Sequence, residues 1–492
     1  MEAKLSPKLY TIFYKIEKTP FLFIESVVLL FPLERLYMNY VSIIDIIFGV
    51  IYSLVALFTI HFAFFAIVGL FAKKKFPKAK VQHKYGIIIP ARNEEAVVGN
   101  LIKSVYKNKY PQDKLHVFVI AHNCTDKTAQ IARELGATVY EYNNPDERTM
   151  GYAFRYLFDQ IRKDYGVQNY DGFFLFNADN ILSADYFEKM NDAFDATGGQ
   201  SVITSFRNSK NFGTNMISGM YGLYFMSGCR LESRGRTALG CSTRVQGCGY
   251  VVNSKIVENG WPYVTLTEDW EFTADQVINN TKIQFCDDAV FYDEQPTTFK
   301  IMWRQRVRWS RGHLLVLATR FKDLIKSFFS PKYSHRNKVS LYDIFINCTP
   351  ICLVTFGIGL AQFICYMFAP LAGVAFNSAL LHWLRIMGWS MLMFYISCFV
   401  NAVIIFIAER KRIKDVPWWK KILMCFIWPL FILIQFPIDI VALFQKNCGW
   451  KVIPHTDTTN FEKLNNMEEE VAHETSEAST ETKQSTVENS EV

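Results

Sequence analysis

Tyr85-Gly86-Ile87-Ile88-Ile89-Pro90-Ala91-Arg92-Asn93-Glu94-Glu95 is the stretch that decides the fold. Tyr85–Ile89 is a short apolar run that reads as a buried strand closed by Pro90, and Glu94–Lys107 then follows a helical period. The same switch repeats downstream. Leu115–Ala121 is a second apolar strand and Thr125–Leu135 a second helix; Thr138–Tyr140 extends, Met150–Tyr165 reads as helix and Phe173–Phe176 as strand. Strands alternating with helices of this length imply βαβ units and a parallel sheet with right-handed crossovers. Ligands of such sheets sit beyond the carboxyl ends of the strands, so the residues just after each strand are the candidates for function.

This polar region runs from Lys84 to about Lys338, roughly 250 residues and enough for one sizeable α/β domain. What flanks it is different. Residues 46–72, 344–384 and 386–408 contain no Asp, Glu, Lys or Arg. A bilayer core takes about 20 apolar residues of helix, so each run is long enough to span. They also explain a mean hydropathy of +0.07 and a 50% hydrophobic content in a chain of 492 residues. With 42 Phe and 24 Tyr the chain is neither disordered nor collagen-like. The first apolar run begins too late, and lacks the small-residue cleavage site, for a signal peptide. The expectation is a multi-pass protein of the cell membrane.

The resulting division is 1–40, an N-terminal interfacial segment whose apolar stretch Phe21–Phe31 is interrupted by Glu25; 41–72, a transmembrane helix; and 73–338, the α/β domain with its interfacial helices. Residues 339–445 form a C-terminal transmembrane region of about three helices, and 446–492 an acidic disordered tail. Within 339–445, spans are expected at 344–369 and 381–408. A third, Ile422–Gln445, is taken as crossing, with Pro429, Pro437 and Asp439 as the argument for re-entry. The net charge is +7, but Phe461–Val492 carries nine Glu and two Lys, a net of −7, which leaves +14 for residues 1–460. That excess lies beside the apolar runs, at Lys73, Lys74, Lys75, Lys78 and Lys80 and again at Arg410, Lys411, Arg412 and Lys414. Such clusters mark the cytoplasmic side and remove the need for a nucleic-acid partner. The eleven Cys form no CxxC pair, and five of them lie in apolar segments, so they read as reduced thiols.

The first two strands run into Arg92-Asn93-Glu94-Glu95 and His122-Asn123-Cys124-Thr125-Asp126. Helix N-termini there offer free N–H groups and a positive dipole end to a nucleotide's phosphates. The plainer reading makes Asn93 and Thr125 simple N-caps. A later strand ends in Phe176-Asn177-Ala178-Asp179-Asn180, where a carboxylate can hold a hard divalent cation against a diphosphate. Leu266-Thr267-Glu268-Asp269-Trp270 opens a helix through Ala274. A carboxylate there is a candidate general base, or else part of an acidic first turn capped by Thr267. In Trp303-Arg304-Gln305-Arg306-Val307-Arg308-Trp309, Gln305, Arg308 and Trp309 share one helical face. Guanidinium binds phosphate by a fork and an indole stacks on a sugar, while Trp and Arg are also the residues of a membrane interface.

PARNEE after the first strand, then NCTD, a DxD-like turn, TED and QxxRW followed by apolar helices resembles the membrane-integrated family 2 glycosyltransferases, which include the synthases of cellulose, chitin, hyaluronan and poly-N-acetylglucosamine. The match runs from about Tyr85 to Arg320, and TED with QxxRW in this order is specific. The resemblance implies an α/β GT-A (Rossmann-like) cytosolic catalytic domain inserted between N-terminal and C-terminal transmembrane helices. It implies inverting transfer from a UDP-sugar with magnesium or manganese. By the same resemblance Asp179 is the metal ligand, and Asp269 is the base with Glu268 beside it. Pro90, Ala91, Arg92, Glu94, His122, Asn177, Asp179, Gln305 and Arg308 hold the nucleotide sugar, and Trp309, Gly247 and Cys248 meet the acceptor.

Three positions depart from that pattern. Asn177 replaces the first Asp of DxD, His122 stands where a uridine-contacting Asp is common, and Met150 precedes Gly151 where relatives often have Lys. Retention of Asp179, Asp269 and the whole QxxRW set implies a working enzyme all the same. The expected activity is extension of a polysaccharide. The alternatives are single transfer to a lipid acceptor and a non-catalytic membrane scaffold.

Overall fold

The computed structural model describes residues 40–413, 416–445, 453 and 455–464. In chain order these form α1 (Tyr40–Phe71), β1 (Tyr85–Ala91), α2 (Val98–Tyr106), β2 (Leu115–His122), α3 (Thr128–Glu134), β3 (Thr138–Tyr142) and α4 (Met150–Asp164). There follow β4 (Gly172–Leu175), β5 (Ile181–Leu182), α5 (Tyr186–Asp195), β6 (Val202–Ser209), α6 (Met216–Ser227), α7 (Arg234–Ala238), β7 (Tyr250–Asn253), α8 (Glu268–Ile278), β8 (Ile283–Asp293) and α9 (Phe299–Phe329). The last helices are α10 (His335–Cys348), α11 (Ile351–Met367), α12 (Phe376–Ala408), α13 (Trp418–Leu433) and α14 (Gln435–Phe444). The expected interfacial segment 1–40, apart from Tyr40, and Lys414 lie outside the described residues.

The sheet is open and mixed, in the order β3-β2-β1-β4-β7-β6-β8-β5. β1, β2, β3 and β4 run parallel, as the alternating sequence requires, whereas β7 is antiparallel to both β4 and β6. Pro90 continues β1 rather than ending it. β4 pairs with β1 only as far as Ile88, whose carbonyl accepts the Phe176 N–H, so no partner remains on the side where Pro90 lacks a donor. Apolar side chains fill both faces of the sheet. Val98, Leu101 and Met190 pack on one, and Phe154, Phe158 and Trp261 on the other, with Trp261 stacked 5.2 Å from Phe272. Each such buried side chain contributes about 1.5–3 kcal/mol.

α1, α12 and the α13–α14 pair are long and apolar enough to cross a membrane, as is α10 with α11 if that bent pair counts as one span. Ile46, Val50, Leu57, Phe64, Trp389, Leu392 and Ile396 are all exposed, a surface that water would not tolerate. The single span expected at 344–369 is instead two helices bent by 63° between Cys348 and Ile351, where Pro350 cannot continue α10. α10 packs on α8 and α9, so only α11 departs from the domain. α1 docks on the domain by a close backbone approach: a Cβ on Gly235 would lie 2.0 Å from the Phe65 carbonyl oxygen.

Ile422–Gln445, expected to cross, forms α13 and α14, which together are long and apolar enough to do so. α14 lies along α9, with Ser310 Oγ donating to Asp439 at 2.6 Å and the Arg306 guanidinium to Gln435 Oε1 at 2.9 Å. Only ten residues separate Phe444 from His455, which sits on the α/β domain, and ten residues reach at most about 36 Å. The polar residues Arg306, Gln435 and Asp439 join α14 to α9. Residues 455–464, expected to be disordered as part of the tail, also lie against the domain, because His455, Glu462 and the Thr456 and Asp457 amides find partners there. Apart from residue 453, the rest of the tail lies outside the described residues.

Candidate active site

The loops after β1 and β2 are laced to each other. Asn93 adopts a left-handed backbone at φ 58°, and its Oδ1 accepts the Thr125 N–H at 2.8 Å. The amides of Glu94 and Glu95 donate to Thr128 Oγ1 and Asp126, and the Lys127 amide donates to Glu95. Asn93 and Thr125 are therefore not N-caps, since α2 and α3 begin at Val98 and Thr128. The N–H groups of Glu94, Glu95 and Lys127 are also taken by side chains. His122, at the end of β2, bonds the Glu147 carbonyl through Nε2 at 2.7 Å and stacks on Tyr142. Burial pushes its pKa down, so it is neutral. Pro90, Ala91, Arg92, Glu94 and His122 form a rim at the carboxyl ends of β1 and β2.

Beyond β4, Asp179 is buried, and its Oδ2 accepts the backbone N–H of Glu294 at 2.7 Å. Asp293, which ends β8, and Glu294, which follows it, were not singled out in the sequence. Asp293 is raised by burial and by Asp179, against the pull of Arg207, whose Nε donates to it at 2.6 Å. These carboxylates are hard oxygen donors of the kind that magnesium or manganese takes. Among the described residues no three His, Cys, Asp or Glu are arranged to hold a metal by themselves. A cation on Asp179 would complete its shell from a diphosphate and water. His455 stands over the same group of acids. Burial lowers its pKa, but Asp179, Glu94 and Glu294 outweigh that and raise it to about 9.

A cavity of about 400 Å³ opens beside this cluster. Glu268 and Asp269, at the start of α8, line it together with Asn177 and Gly247. Gln305, Arg308 and Trp309 of α9 form the opposite wall. Both α8 carboxyls are raised, first by burial and, for Glu268, by the neighbouring Asp269; Arg308 pulls both down. Thr267 does not cap α8 by its side chain. Gly247, at φ 84°, brings backbone close to the acid, and a Cβ there would meet Asp269 Oδ2 at 3.9 Å. Cys248, expected at the acceptor, points into the core beneath the sheet, because the turn at Gly247 alternates the direction of the two residues. Gln246 Oε1 and Gln305 Oε1 are buried without a hydrogen-bond partner among the described residues, which leaves two acceptors for a ligand's hydroxyls.

The cavity's positive charges are matched. Arg207 pairs with Asp293, Arg244 with Glu232, and Arg308 donates to the Leu266 carbonyl at 2.6 Å while facing Glu268 and Asp269. Towards the apolar helices the cavity continues between Ser397, Cys398 and Asn401 of α12 and Trp428 and Ile432 of α13. A second cavity of about 310 Å³ reaches from the same Trp309–His313 wall to Cys352 of α11 and Asp439 of α14. Arg207 was missed because β6 and β7 lack the strand–helix alternation that flagged the earlier strands.

Comparison with known proteins accords with this geometry. The family described as "Glycosyltransferase like family 2" matches residues 83–312. Similar curated proteins include the probable glycosyltransferase YdaM of Bacillus subtilis (strain 168), 24% identical over 279 residues, 56% of this chain and 64% of that one. The beta-monoglucosyldiacylglycerol synthase of Nostoc sp. (strain PCC 7120) is 27% identical over 234 residues, 46% of this chain and 48% of that one. The match therefore spans about half to under two thirds of the length of these relatives. Among solved structures, the mannosyltransferase PcManGT from Pyrobaculum calidifontis, in complex with GDP-Man and Mn2+, aligns with a TM-score of 0.51 at 14% identity, over 83% of this chain and 100% of that one. That likeness is one of fold, the GT-A fold.

Proposed function

We propose that residues 83–312, which match the family 2 glycosyltransferase model, transfer one sugar from a nucleotide-sugar donor, with inversion, to a hydroxyl of a membrane lipid. The observation that carries the reading is the course of the cavity. It starts at Asp269 and runs out between α12 and α13, so an acceptor held by its acyl chains among those helices presents its head to the carboxylate. Charge supports the same choice. An acceptor phosphate would already be ionised, would need no base, and would face the buried carboxyls Glu268 and Asp269. A neutral hydroxyl needs a base and fits the bare oxygen of Gln246.

In this mechanism Asp269 takes the proton of the acceptor hydroxyl as its oxygen attacks the anomeric carbon, and the bond from that carbon to the diphosphate oxygen breaks on the opposite face. Glu268, pushed up to about 8 by burial and by Asp269, stays beside it, and burial raises Asp269 itself, where proton uptake is easier. Arg308 and Gln305 face the leaving diphosphate, and Trp309 stacks beneath the acceptor. Pro90, Ala91, Arg92, Glu94, His122 and Asn177 cradle the nucleoside. A magnesium or manganese ion on Asp179 would offset charge on the departing diphosphate. The donor is taken as a UDP-sugar, with GDP-sugars the rival. The bilayer holds α1, α11 and α12 as spans, with α13–α14 along its cytoplasmic face, where the domain meets its donor.

The test is purified protein in detergent with a panel of UDP- and GDP-sugars and diacylglycerol, reading nucleotide release and product mass. A glycolipid carrying one sugar supports the reading. A polymer would return the protein to the polysaccharide synthases, and absence of both release and donor binding would leave a scaffold.

A further inference from the structure

α12 is apolar along most of its length, yet it lines the lipid-side mouth of the active-site cavity with Ser397 and Asn401. The two are one helical turn apart and share a face. Hydroxyls on the other apolar helices are satisfied locally: Thr355 of α11 donates to the Ile351 carbonyl at 3.0 Å, and Thr59 of α1 to the Val55 carbonyl at 3.0 Å. Ser397 makes no such bond among the described residues. Asn401 uses only its oxygen, which accepts Ser227 Oγ of α6 at 3.5 Å, and its Nδ2 has no partner among the described residues. On the α13 side of the mouth stands Trp428. Its indole N–H is likewise without a partner among the described residues, and is not sealed in the core as those of Trp261 and Trp383 are.

A hydroxyl, an amide and an indole N–H here are three donors set in an apolar wall. A donor left bare in hydrocarbon is costly, so this mouth calls for a ligand that brings acceptors. Asn401 precedes Ala408, the end of α12, by seven residues, about 10 Å of helix. With Arg410 and Lys411 just beyond that end, Asn401 falls at the level where headgroups give way to tails. The catalytic end of the cavity has the opposite character, because Asp269 and Gln246 Oε1 are acceptors and take a hydroxyl. A molecule complementary to both ends has a free hydroxyl and, a few bonds away, carbonyl oxygens without donors. Resting on the lipid-acceptor reading, we propose that Ser397, Asn401 and Trp428 bind the ester carbonyls of the acceptor, which is therefore an acylglycerol with one free hydroxyl. Held by its esters at the mouth, such a lipid directs that hydroxyl inward to Asp269. Polyprenols, sterols and ether lipids offer the hydroxyl without the carbonyls and leave the three donors bare.

The experiment uses the full chain in detergent, with the nucleotide sugar that releases nucleotide fastest. Three acceptors are compared: dioleoylglycerol, its dioleyl ether analogue and a polyprenol. The wild type should favour the ester over the ether by about tenfold in kcat/KM, because several hydrogen bonds are at stake. Ser397→Ala, Asn401→Leu and Trp428→Phe should each lower that ratio by about threefold to fivefold, the scale of one hydrogen bond net of water, with the change in the KM for lipid. Ser397→Ala and Trp428→Phe remove a donor and little volume, so they keep the helix packing. A ratio near one in the wild type, a ratio that none of the three variants lowers, or faster transfer to the polyprenol than to the ester would overturn the ester site. Absence of glycolipid from all three acceptors would instead overturn the lipid-acceptor reading beneath it.

Discussion

Asp179 takes the backbone N–H of Glu294 on Oδ2 at 2.7 Å, joining the turn after β4 to the end of β8. The bond fixes one oxygen of the carboxylate, and its neighbour Asn177 offers an amide where a second carboxylate would bind metal more strongly. Metal binding should consequently be weak alone and strengthen when UDP supplies its phosphate oxygens. Calorimetry of manganese with and without UDP checks this. Equal affinity in both states, or activity undiminished by EDTA, would count against Asp179 as the principal ligand.

Asp269 sits at the start of α8 with its carboxylate in the cavity, beside Gly247 and across from Arg308. Asp269→Asn keeps the shape and removes the proton acceptor. UDP affinity should stay near the wild-type value, while turnover falls by roughly two or more orders of magnitude, the scale of a lost general base. Near-normal turnover would move the base elsewhere.

The pH profile follows from the directions of the shifts. A base works only when deprotonated, and burial raises the Asp269 and Glu268 pKa values above the ordinary carboxylate range. Protonation therefore persists to higher pH, and kcat should fall on acidification at a pH above that of an ordinary Asp. Arg308 opposes the rise, so Arg308→Gln should move the acidic limb of kcat further up, whatever it does to the maximum. A limb that stays put, or moves down, would separate Arg308 from the titrating pair.

How much of this was legible in the sequence depends on the residue. Tyr85–Leu175 was readable because β1, β2 and β4 are apolar runs buried on both faces, and α2 and α4 between them are amphipathic. Asp269, Gln305, Arg308 and Trp309 were readable because motif order carries them to one cavity. Arg207 and Glu294 were not. Each works through a partner on another strand, Asp293 and Asp179 respectively, and that pairing depends on β6, β7 and β8 returning antiparallel and parallel in an order no local period encodes. The packing of α13–α14 on the domain was hidden for a related reason. The segment's length and hydropathy fit a span, and only Ser310 and Arg306, more than a hundred residues away, hold Asp439 and Gln435 at the domain.

Arg236 makes two bonds to Asp343, at 2.8 and 2.9 Å, with both side chains buried and His61 of α1 3.2 Å from the same carboxylate. Removing one partner strands the other's charge. Arg236→Met should cost about 3–5 kcal/mol, whereas adding Asp343→Leu should recover part of it, because the buried pair itself is near neutral in net stability. Thermal unfolding in detergent should show a drop in Tm on the order of 10 °C for the single variant. Two equal Tm values would mean that the pair is solvated.

Asp287 gathers Lys73, from the end of α1, and Arg412, from beyond α12, with Arg412 Nη1 3.5 Å away. A bulge between the two halves of the β6–β8 pairing turns Asp287 toward those helix ends. Burial alone would raise its pKa, but Arg412, Lys73 and Arg234 hold it below the usual carboxylate range, so it stays ionised and ties both basic clusters to the domain. On the proposed arrangement the two clusters should share one side of the membrane, and so should His455, which reaches Glu94. Single cysteines at Lys78, Arg410 and Ser479 should resist a membrane-impermeant maleimide in intact cells and react after permeabilisation. External labelling at Lys78 or Arg410 would place the domain where nucleotide sugars are absent and overturn the catalytic reading. External labelling at Ser479 alone would mean that α13–α14 crosses, and that His455 cannot reach Glu94.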